Sequence, residues 1–268
     1  LMLLMLAGCD IPTAEPEKNP TLVIVTDRLN SNDSLLFSKF EKTNNVTIVF
    51  REMAADSLIQ RFQNDPYGLG VDIVLLHQAY DMRLVQQHNL LERLHKTDFP
   101  QESQLSGSQE FITCGIDPFV CISKKNTSIR IYDDLNNRAY LQNLSHKSLT
   151  HFFAPYEKRL HRSKTFERVH KLHEKSMEMN QWNADSAQTI LTMYSDYKMK
   201  TPEDSIWNHF TNVQFPNSAT SGVFYDVLTA GIIRQSSNYQ LSTELLKWVT
   251  SQKINRRFAK NRGYNSIY

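Results

Sequence analysis

The sequence has 268 residues, a length typical of about two domains, and its 40% hydrophobic and 22% charged residues are a globular composition. Its 30 basic and 28 acidic residues give a formal charge of +2, which is too balanced to indicate a nucleic-acid partner. No apolar run approaches the roughly 18 residues that a membrane-spanning helix needs. Collagen-like, fully disordered and multispan membrane proteins are therefore excluded.

The chain opens with an apolar segment that ends in small residues and a cysteine. The last four residues of this segment, Leu6-Ala7-Gly8-Cys9, resemble the lipobox of bacterial lipoproteins, in which the cysteine carries the lipid. A polar stretch follows as far as Pro20, as expected of a tether. We therefore expect residues 1–20 to be a signal remnant and tether, with lipidation at Cys9. A buried N-terminal helix with an incidental cysteine is the alternative interpretation.

Three predicted strands alternate with three predicted helices in the next 70 residues. The strands are expected at 21–26, 46–50 and 71–76, and the helices from Asp33 or Ser34 to Lys42, at 55–63 and at 81–88. This alternation favours βαβ units and a doubly wound sheet. Because ligands of such sheets bind at the carboxyl ends of the strands, the loops after Thr26 and Leu76 are the predicted site loops.

Patterns in the rest of the chain are weaker until the C-terminus. Further strands are expected at 119–123, 190–194 and 213–215, and an apolar run lies at 225–233. Helical patterns are expected as a weakly helical stretch at 130–144, a charged helix at 156–179 and an amphipathic helix at 240–258. No Gly/Ser linker separates two halves. The pattern therefore favours a second domain inserted into the first.

Cys114 and Cys121 are the remaining cysteines. Outside the inner membrane they could form a disulfide between neighbouring strand ends, or remain as two buried thiols. The sequence leaves both possibilities open.

Four stretches together resemble a known family. They are Leu22 to Asn30, residues 71–78 with Gln87-His88-Asn89-Leu90-Leu91, Phe215-Pro216-Asn217 through Gly231, and the helix from Ser242 to Asn261. Their order is similar to the periplasmic solute-binding proteins of ABC importers, specifically the ferric-ion-binding branch of the family-1 extracellular type. Residues 100–185 match this family poorly.

The resemblance implies a type II periplasmic-binding-protein fold. Such an α/β fold has two lobes, each a doubly wound sheet, joined by a hinge and closing on ligand in a cleft. We expect one lobe to comprise residues 21–112 and 222–268, and the other to comprise residues 113–221.

The resemblance also implies a metal site, with Fe³⁺ as the metal. Metal-binding members use two adjacent tyrosines after a strand of the second lobe, with help from the first loop and from the segment after the third strand. Tyr194 matches the first tyrosine, Ser195 replaces the second, Tyr197 lies nearby, and His77 takes the position of an acidic ligand. The remaining ligand-binding candidates are Thr26, Asp27, Arg28, Asn30, Gln78 and Asp226.

Other interpretations of this eroded donor set stay open. A different small solute, or no ligand at all, fits the residues as well as a metal does. Tyr194 could be a half-buried core tyrosine, and His77 could cap a turn.

The implied function is that of a lipid-anchored solute-binding component of an ABC importer. It would capture ferric iron or another small solute in the periplasm and deliver it to a permease in the inner membrane. The alternative is a structural or interaction lipoprotein that kept the fold but lost its ligand. No catalytic motif such as G-x-S-x-G or H-E-x-x-H occurs in the sequence, so we expect no enzymatic activity.

Overall fold

A computed structural model describes residues 19–65, 69–124, 171, 189–199, 212–215 and 225–268, with the backbone of residues 139–141, 217–218 and 222–223. Its strands are β1 (Thr21–Thr26), β2 (Thr47–Glu52), β3 (Ile73–Leu76), β4 (Phe111–Ser123), β5 (Ala139–Leu141), β6 (Thr189–Met193), β7 (Asn212–Gln214), β8 (Asn217–Ser218), β9 (Gly222–Val223) and β10 (Tyr225–Ile232). Its α-helices are α1 (Ser31–Asn44), α2 (Ala55–Asn64), α3 (Ala79–Gln87), α4 (Tyr194–Lys198), α5 (Tyr239–Thr250) and α6 (Gln252–Asn261). Two short 3₁₀ helices span Lys96–Asp98 and Gln101–Gln104.

The main sheet has the strand order β2-β1-β3-β10-β4-β6-β5, and β7 also pairs with β4. Strand β1 lies parallel to β2 and β3, whereas β10 runs antiparallel to β3. This order confirms the predicted βαβ units, since α1 and α2 lead the chain to β2 and β3, which both lie parallel to β1.

Helices cover both faces of the first part of the sheet. On one face Phe37 and Phe40 of α1 join Leu245 of α5 and Phe258 of α6 in one buried cluster. On the other face residues of α2 and α3, such as Leu58, form a second cluster. Burial of each such side chain contributes about 1.5–3 kcal/mol, so the two clusters hold the sheet from both sides.

Strand β4 runs through both parts of the sheet. Residues 111–118 of this strand pair with β10, and residues 119–123 pair with β6. The sequence predicts only the second half, because Gly115 and the Asp117-Pro118 pair interrupt the β-type pattern of the first half. The strand changes partners between Pro118 and Phe119, close to the predicted domain boundary at 113, which stays a prediction.

Several element boundaries differ from the predicted ones. Helix α1 begins at Ser31, earlier than expected, because the Asn30 side chain accepts a hydrogen bond from Asn32 N at 2.9 Å and caps the helix. Tyr194 begins α4 instead of ending a strand. Residues 139–141 form β5, parallel to β6, and not a helix.

The single C-terminal helix predicted at 240–258 is two helices. Ser251 adopts an extended backbone conformation, with φ −64° and ψ 139°, between α5 and α6. Its hydroxyl donates to Trp248 O at 2.6 Å, and its backbone N–H donates to the same carbonyl at 3.2 Å, so Ser251 caps the end of α5. The apolar pattern continues across this break because both helices pack on the same core.

Cys114 and Cys121 are buried free thiols. Both lie in β4, where seven residues span about 23 Å, so a disulfide between them is excluded.

The predicted helix at 156–179 falls, apart from Lys171, outside the described residues, as does Cys9 with the rest of residues 1–18. Among the described helices, none is both long and apolar enough to cross a membrane.

Candidate ligand-binding cleft

The predicted site loops meet at one edge of the sheet. Strands β1 and β3 are parallel, so the residues that follow them, Asp27 and His77, emerge side by side. Strand β10 runs the opposite way and starts at the same edge, which brings Asp226 to the first turn of α3. Sequence reasoning placed these three residues near one another, and they lie together.

Asp27 and His77 form a close pair. The Nδ1 atom of His77 lies 2.5 Å from Asp27 Oδ1, and the backbone N–H of His77 donates to the same carboxylate at 3.2 Å. The other ring nitrogen, Nε2, lies 2.9 Å from Nη1 of Arg262. Arginine can only donate, so Nε2 is the acceptor, and the proton of the neutral ring lies on Nδ1 and points at Asp27.

This arrangement keeps His77 neutral. Burial lowers the pKa of His77, and the nearby charges of Arg262 and Arg28 lower it further, against the opposing effect of Asp27. The pKa of Asp27 lies below its ordinary value: burial acts to raise it, but the interactions with His77, the side-chain hydrogen bond first among them, outweigh burial. The pair is therefore an anion bound to a neutral ring.

Arg262 fills the space beside His77. Its guanidinium forms a bidentate ion pair with Asp33, in which Nε donates to Oδ1 at 3.3 Å and Nη2 donates to Oδ2. Both side chains are almost fully buried, with exposed fractions of 1% and 2%. Their pairing offsets only part of the cost of removing the two charges from water, because burial still raises the pKa of Asp33 above its ordinary value. Sequence reasoning did not single out Arg262, since no motif or periodicity links it to the site loops.

Two buried carboxylates lie opposite each other where β4 and β10 pair. Asp117 accepts from the Ser195 backbone N–H at 2.9 Å and from its hydroxyl at 2.5 Å, and so holds the start of α4. Asp226 accepts from Ala79 N at 3.0 Å and from Val227 N at 2.8 Å. Burial raises the pKa of Asp117 to about 7 and that of Asp226 to about 6, although these hydrogen bonds act in the opposite direction.

One ion pair joins the first site loop to α4. Nη2 of Arg28 lies 2.7 Å from Asp196 Oδ1, and the two side chains are 50% and 8% exposed. Gly263 lies against the same helix: a Cβ added to it would lie 2.9 Å from Ser195 O. The residues after β1, α4 and the segment after α6 therefore meet at one place.

The other predicted first-loop residues have mainly local roles. The Thr26 hydroxyl donates to Arg28 O at 3.2 Å and closes the turn after β1. Asn30 caps α1 and also donates to Asn261 O at 3.0 Å. Gln78 is the N-cap residue of α3 and is half-buried. Contact of these residues with a ligand stays a prediction.

Tyr194 and Tyr197 lie in an aromatic cluster on α4. Their ring centroids are 6.4 Å apart, and the Tyr194 ring lies 5.7 Å from that of Phe215. Nζ of Lys198 lies 5.2 Å above the Tyr194 ring, a cation–π geometry. The predicted metal-ligand role of the two tyrosines stays a prediction. Within the described ranges, no group of three or more His, Cys, Asp or Glu residues is placed to hold a metal ion.

Tyr264 is a second residue that sequence reasoning missed. Its ring packs on Gly115 and lies 5.7 Å from the ring of His77. Burial raises the pKa of Tyr264 well above its ordinary value, and the charge of Asp117 adds to this. The phenol of Tyr264 is therefore neutral, and its ring lies next to that of His77.

Solved structures with this arrangement of elements are known. The chain superposes on a ferric binding protein from Campylobacter jejuni with a TM-score of 0.75 at 15% identity, covering 92% of this chain and 86% of that one. It also matches ferric iron-binding protein A of Mannheimia haemolytica in an open conformation, with a TM-score of 0.74, 13% identity and coverage of 92% and 85%. A third match is Trichodesmium IdiA (FutA) in complex with iron and citrate, with a TM-score of 0.73, 14% identity and coverage of 92% and 86%.

The chain has the type II periplasmic-binding-protein fold. No protein-family model and no curated protein sequence matches it. Identities this low establish the binding-protein fold alone. That fold agrees with the one implied by the sequence resemblance.

Proposed function

We propose that this protein is the solute-binding component of an ABC importer, held at the bacterial cell envelope by a lipid on Cys9. In this role it captures a small solute in the periplasm and passes it to a permease in the inner membrane. Ferric iron is the first candidate solute, because the structurally similar proteins from C. jejuni, M. haemolytica and Trichodesmium are named for ferric iron or contain it.

The contact between Arg28 and Asp196 is the observation that supports this proposal most. It links a loop of the first part of the sheet to a helix that follows β6 in the second part. A solute that contacts both parts favours the state in which they lie together, which is how a hinged receptor couples binding to closure. The role is one of binding, not of catalysis.

The test is a titration of the purified protein with ferric citrate and a panel of small solutes. Calorimetry measures affinity, and small-angle X-ray scattering measures compaction in the same samples. Binding of at least one solute with compaction supports the proposal, whereas the lack of both across the panel contradicts it.

Two variants test the predicted metal ligands. If the solute is ferric iron, Tyr194→Phe weakens its binding where Tyr194 is a ligand, whereas His77→Ala weakens it only if the ring of His77 leaves Arg262 to bind the metal. Tyr239→Phe, on α5, is the matched control and leaves affinity unchanged. Unchanged affinity in both site variants would remove these ligand assignments.

One observation favours the alternative of a scaffold lipoprotein without a ligand. The polar groups around His77 already satisfy one another, since His77 pairs with Asp27 and Arg262 pairs with both Asp33 and His77. A protein of this kind stays compact without solute and shows no change in scattering on titration. Native mass spectrometry of protein purified from its own host distinguishes the two functions, because a receptor carries a co-purifying solute.

A further inference from the structure

Arg262 lies between two groups that commonly bind metals. One of its nitrogens lies 2.9 Å from the Nε2 atom of His77, and two others bind the carboxylate of Asp33. An imidazole nitrogen and a carboxylate that face a common point are donors for a divalent or trivalent cation. Here that point is taken by a guanidinium, a cation that belongs to the chain itself.

The structure assigns Arg262 as a specificity-determining residue: its guanidinium occupies the cation position beside His77 and keeps a metal ion off this wall of the cleft. This inference rests on the proposed solute-binding function. It concerns which solutes the cleft accepts, because a metal reaching the cleft would have to be held by donors other than His77 Nε2.

The polar partners of the Arg262 guanidinium hold it in place. Asp33 is buried in the first turn of α1 and gives both carboxylate oxygens to Arg262. The orientation of the His77 ring is set by Asp27, which receives the Nδ1 proton and leaves Nε2 directed at Arg262. An arginine whose partners are themselves buried and oriented is costly to displace.

The backbone around Arg262 is fixed as well. The N–H of Arg262 donates to Ala259 O at 3.1 Å at the end of α6, and the N–H of Tyr264 donates to the same oxygen at 2.8 Å. Asn265 and Ile116 exchange two backbone hydrogen bonds of 2.8 and 2.9 Å, which attach the segment to β4. The side chain therefore cannot leave the cation position by a simple swing of its own loop.

Removal of the guanidinium exposes the latent donors. In Arg262→Ala the Nε2 atom of His77 and the Asp33 carboxylate face a space that a metal ion can enter. Asp27 still holds the ring by Nδ1, the arrangement in which a carboxylate orients a histidine ligand. The wild-type protein presents neither donor to a metal.

The test uses Co²⁺ as the probe, because its visible spectrum reports nitrogen and oxygen coordination. Titrations compare the full-length wild type with Arg262→Ala, Arg262→Lys and Arg262→Ala/His77→Phe. We expect Arg262→Ala to bind Co²⁺ at least about tenfold tighter than wild type. The Lys variant, which keeps a positive charge at this place, and the double variant should lose most of that gain.

A measurement on the unmodified protein keeps the inference testable should Arg262→Ala fold poorly. Imidazole ¹H–¹⁵N spectra of the wild type report whether Co²⁺ reaches Nε2 of His77. Unperturbed His77 signals during the titration support the inference. A Co²⁺-dependent loss of those signals in the wild type, or a well-folded Arg262→Ala that gains no affinity, overturns it.

Failure of this inference is distinguishable from failure of the proposed function. The solute panel and the scattering experiment decide whether the cleft captures a solute at all. The Co²⁺ comparison decides only whether Arg262 keeps metal ions away from Nε2 of His77.

Discussion

At the scale of single residues, Asp117 gives the protein a defined response to pH. Its pKa is raised to about 7 by burial, whereas the same group in the unfolded chain ionises near 3.8. Between these values the native state holds a proton that the unfolded state has lost, so stability falls as pH rises from about 4 to about 7. Asp226, raised to about 6, acts in the same direction.

Asp117→Asn should reduce this pH dependence. Asparagine keeps an oxygen that accepts from Ser195 N but carries no charge to bury. We expect the difference in unfolding free energy between about pH 4.5 and about pH 7.5 to shrink by more than about 1.4 kcal/mol, the equivalent of one pKa unit. Urea denaturation at the two pH values measures it. Glu52→Gln, an exposed carboxylate on β2, is the control, and an equal slope in both variants would contradict the assignment.

Gly263 is needed where the last segment meets α4. Its φ is +76°, and a Cβ would lie 2.9 Å from Ser195 O and 3.1 Å from Ser195 Cα, both backbone atoms. Gly107 has a similar φ of +68°, but a Cβ added there would meet nothing within 4 Å, so this position isolates the backbone contribution.

The two Gly→Ala variants should therefore differ in stability. Gly107→Ala costs about 1 kcal/mol, the penalty of left-handed backbone for an L-residue. Gly263→Ala has the same cost and must also push the backbone at position 263 away from that of Ser195, which adds at least about 1 kcal/mol. Denaturant titration of both variants measures the difference. Equal losses would show that the contact with Ser195 yields without cost.

The sequence was sufficient to predict some residues of the site but not others. Asp27 and His77 follow parallel strands, so their adjacency followed from strand order alone. Arg262 reaches His77 across 185 residues of sequence, and nothing in local periodicity records that contact. Only the three-dimensional path of the last segment brings it there.

At the scale of elements, α6 is attached to β4 by one polar side chain. Nδ2 of Asn255 donates to Cys114 O at 2.7 Å, and its Oδ1 accepts from Ile267 N at 3.1 Å and from the Ser266 hydroxyl at 2.8 Å. Asn255 is fully buried on the face of α6 that the apolar pattern assigns to the core. It therefore connects helix, strand and C-terminal segment.

Asn255→Leu should lower the unfolding free energy more than the similar size of the two side chains suggests. The substitution leaves Cys114 O and Ile267 N buried without a partner, at a cost of about 2–4 kcal/mol in unfolding free energy. Ser266→Ala removes one of the three bonds from a less buried group and should cost about 1 kcal/mol or less. Thermal and denaturant unfolding measure both. Similar values for the two variants would refute the role of Asn255 as a connector.

Strands and helices were predictable wherever a single pattern of apolar residues ran along the whole element. The runs at β1 and β3 are continuously apolar because both faces of these strands are covered by helices. Strand β4 was half missed because Gly115 and Pro118 serve tertiary needs: Gly115 makes room for Tyr264, and Pro118 lies where the strand changes partners. The break at Ser251 was missed because the pattern of buried residues continues through it.

At the scale of the whole molecule, we infer that the ion pair between Arg28 and Asp196 favours the state in which the two parts of the sheet lie together, without fixing the solute-free protein in that state. Half of the Arg28 side chain is exposed, so the pair adds less than about 1 kcal/mol to global stability. An energy of this size is small beside that of unfolding, but it still shifts a nearly balanced equilibrium between two states.

We therefore expect Arg28→Ala and Asp196→Ala to expand the solute-free protein without lowering its unfolding free energy by more than about 1 kcal/mol. Small-angle scattering detects the expansion as a larger radius of gyration. The swapped pair, Arg28→Asp with Asp196→Arg, should restore the compact form. No expansion in either single variant, or expansion that the swap does not reverse, would show that other contacts hold the cleft.

The pairing of β3 with β10 also determines when the sheet can be completed during synthesis of the chain. Leu76 lies opposite Thr229, a partner that is translated about 150 residues later. The early strands therefore cannot complete their hydrogen-bonded ladder during synthesis, and their edge stays unprotected until almost the entire polypeptide is available. A chain built in this way completes its sheet late, which agrees with the proposed role outside the inner membrane.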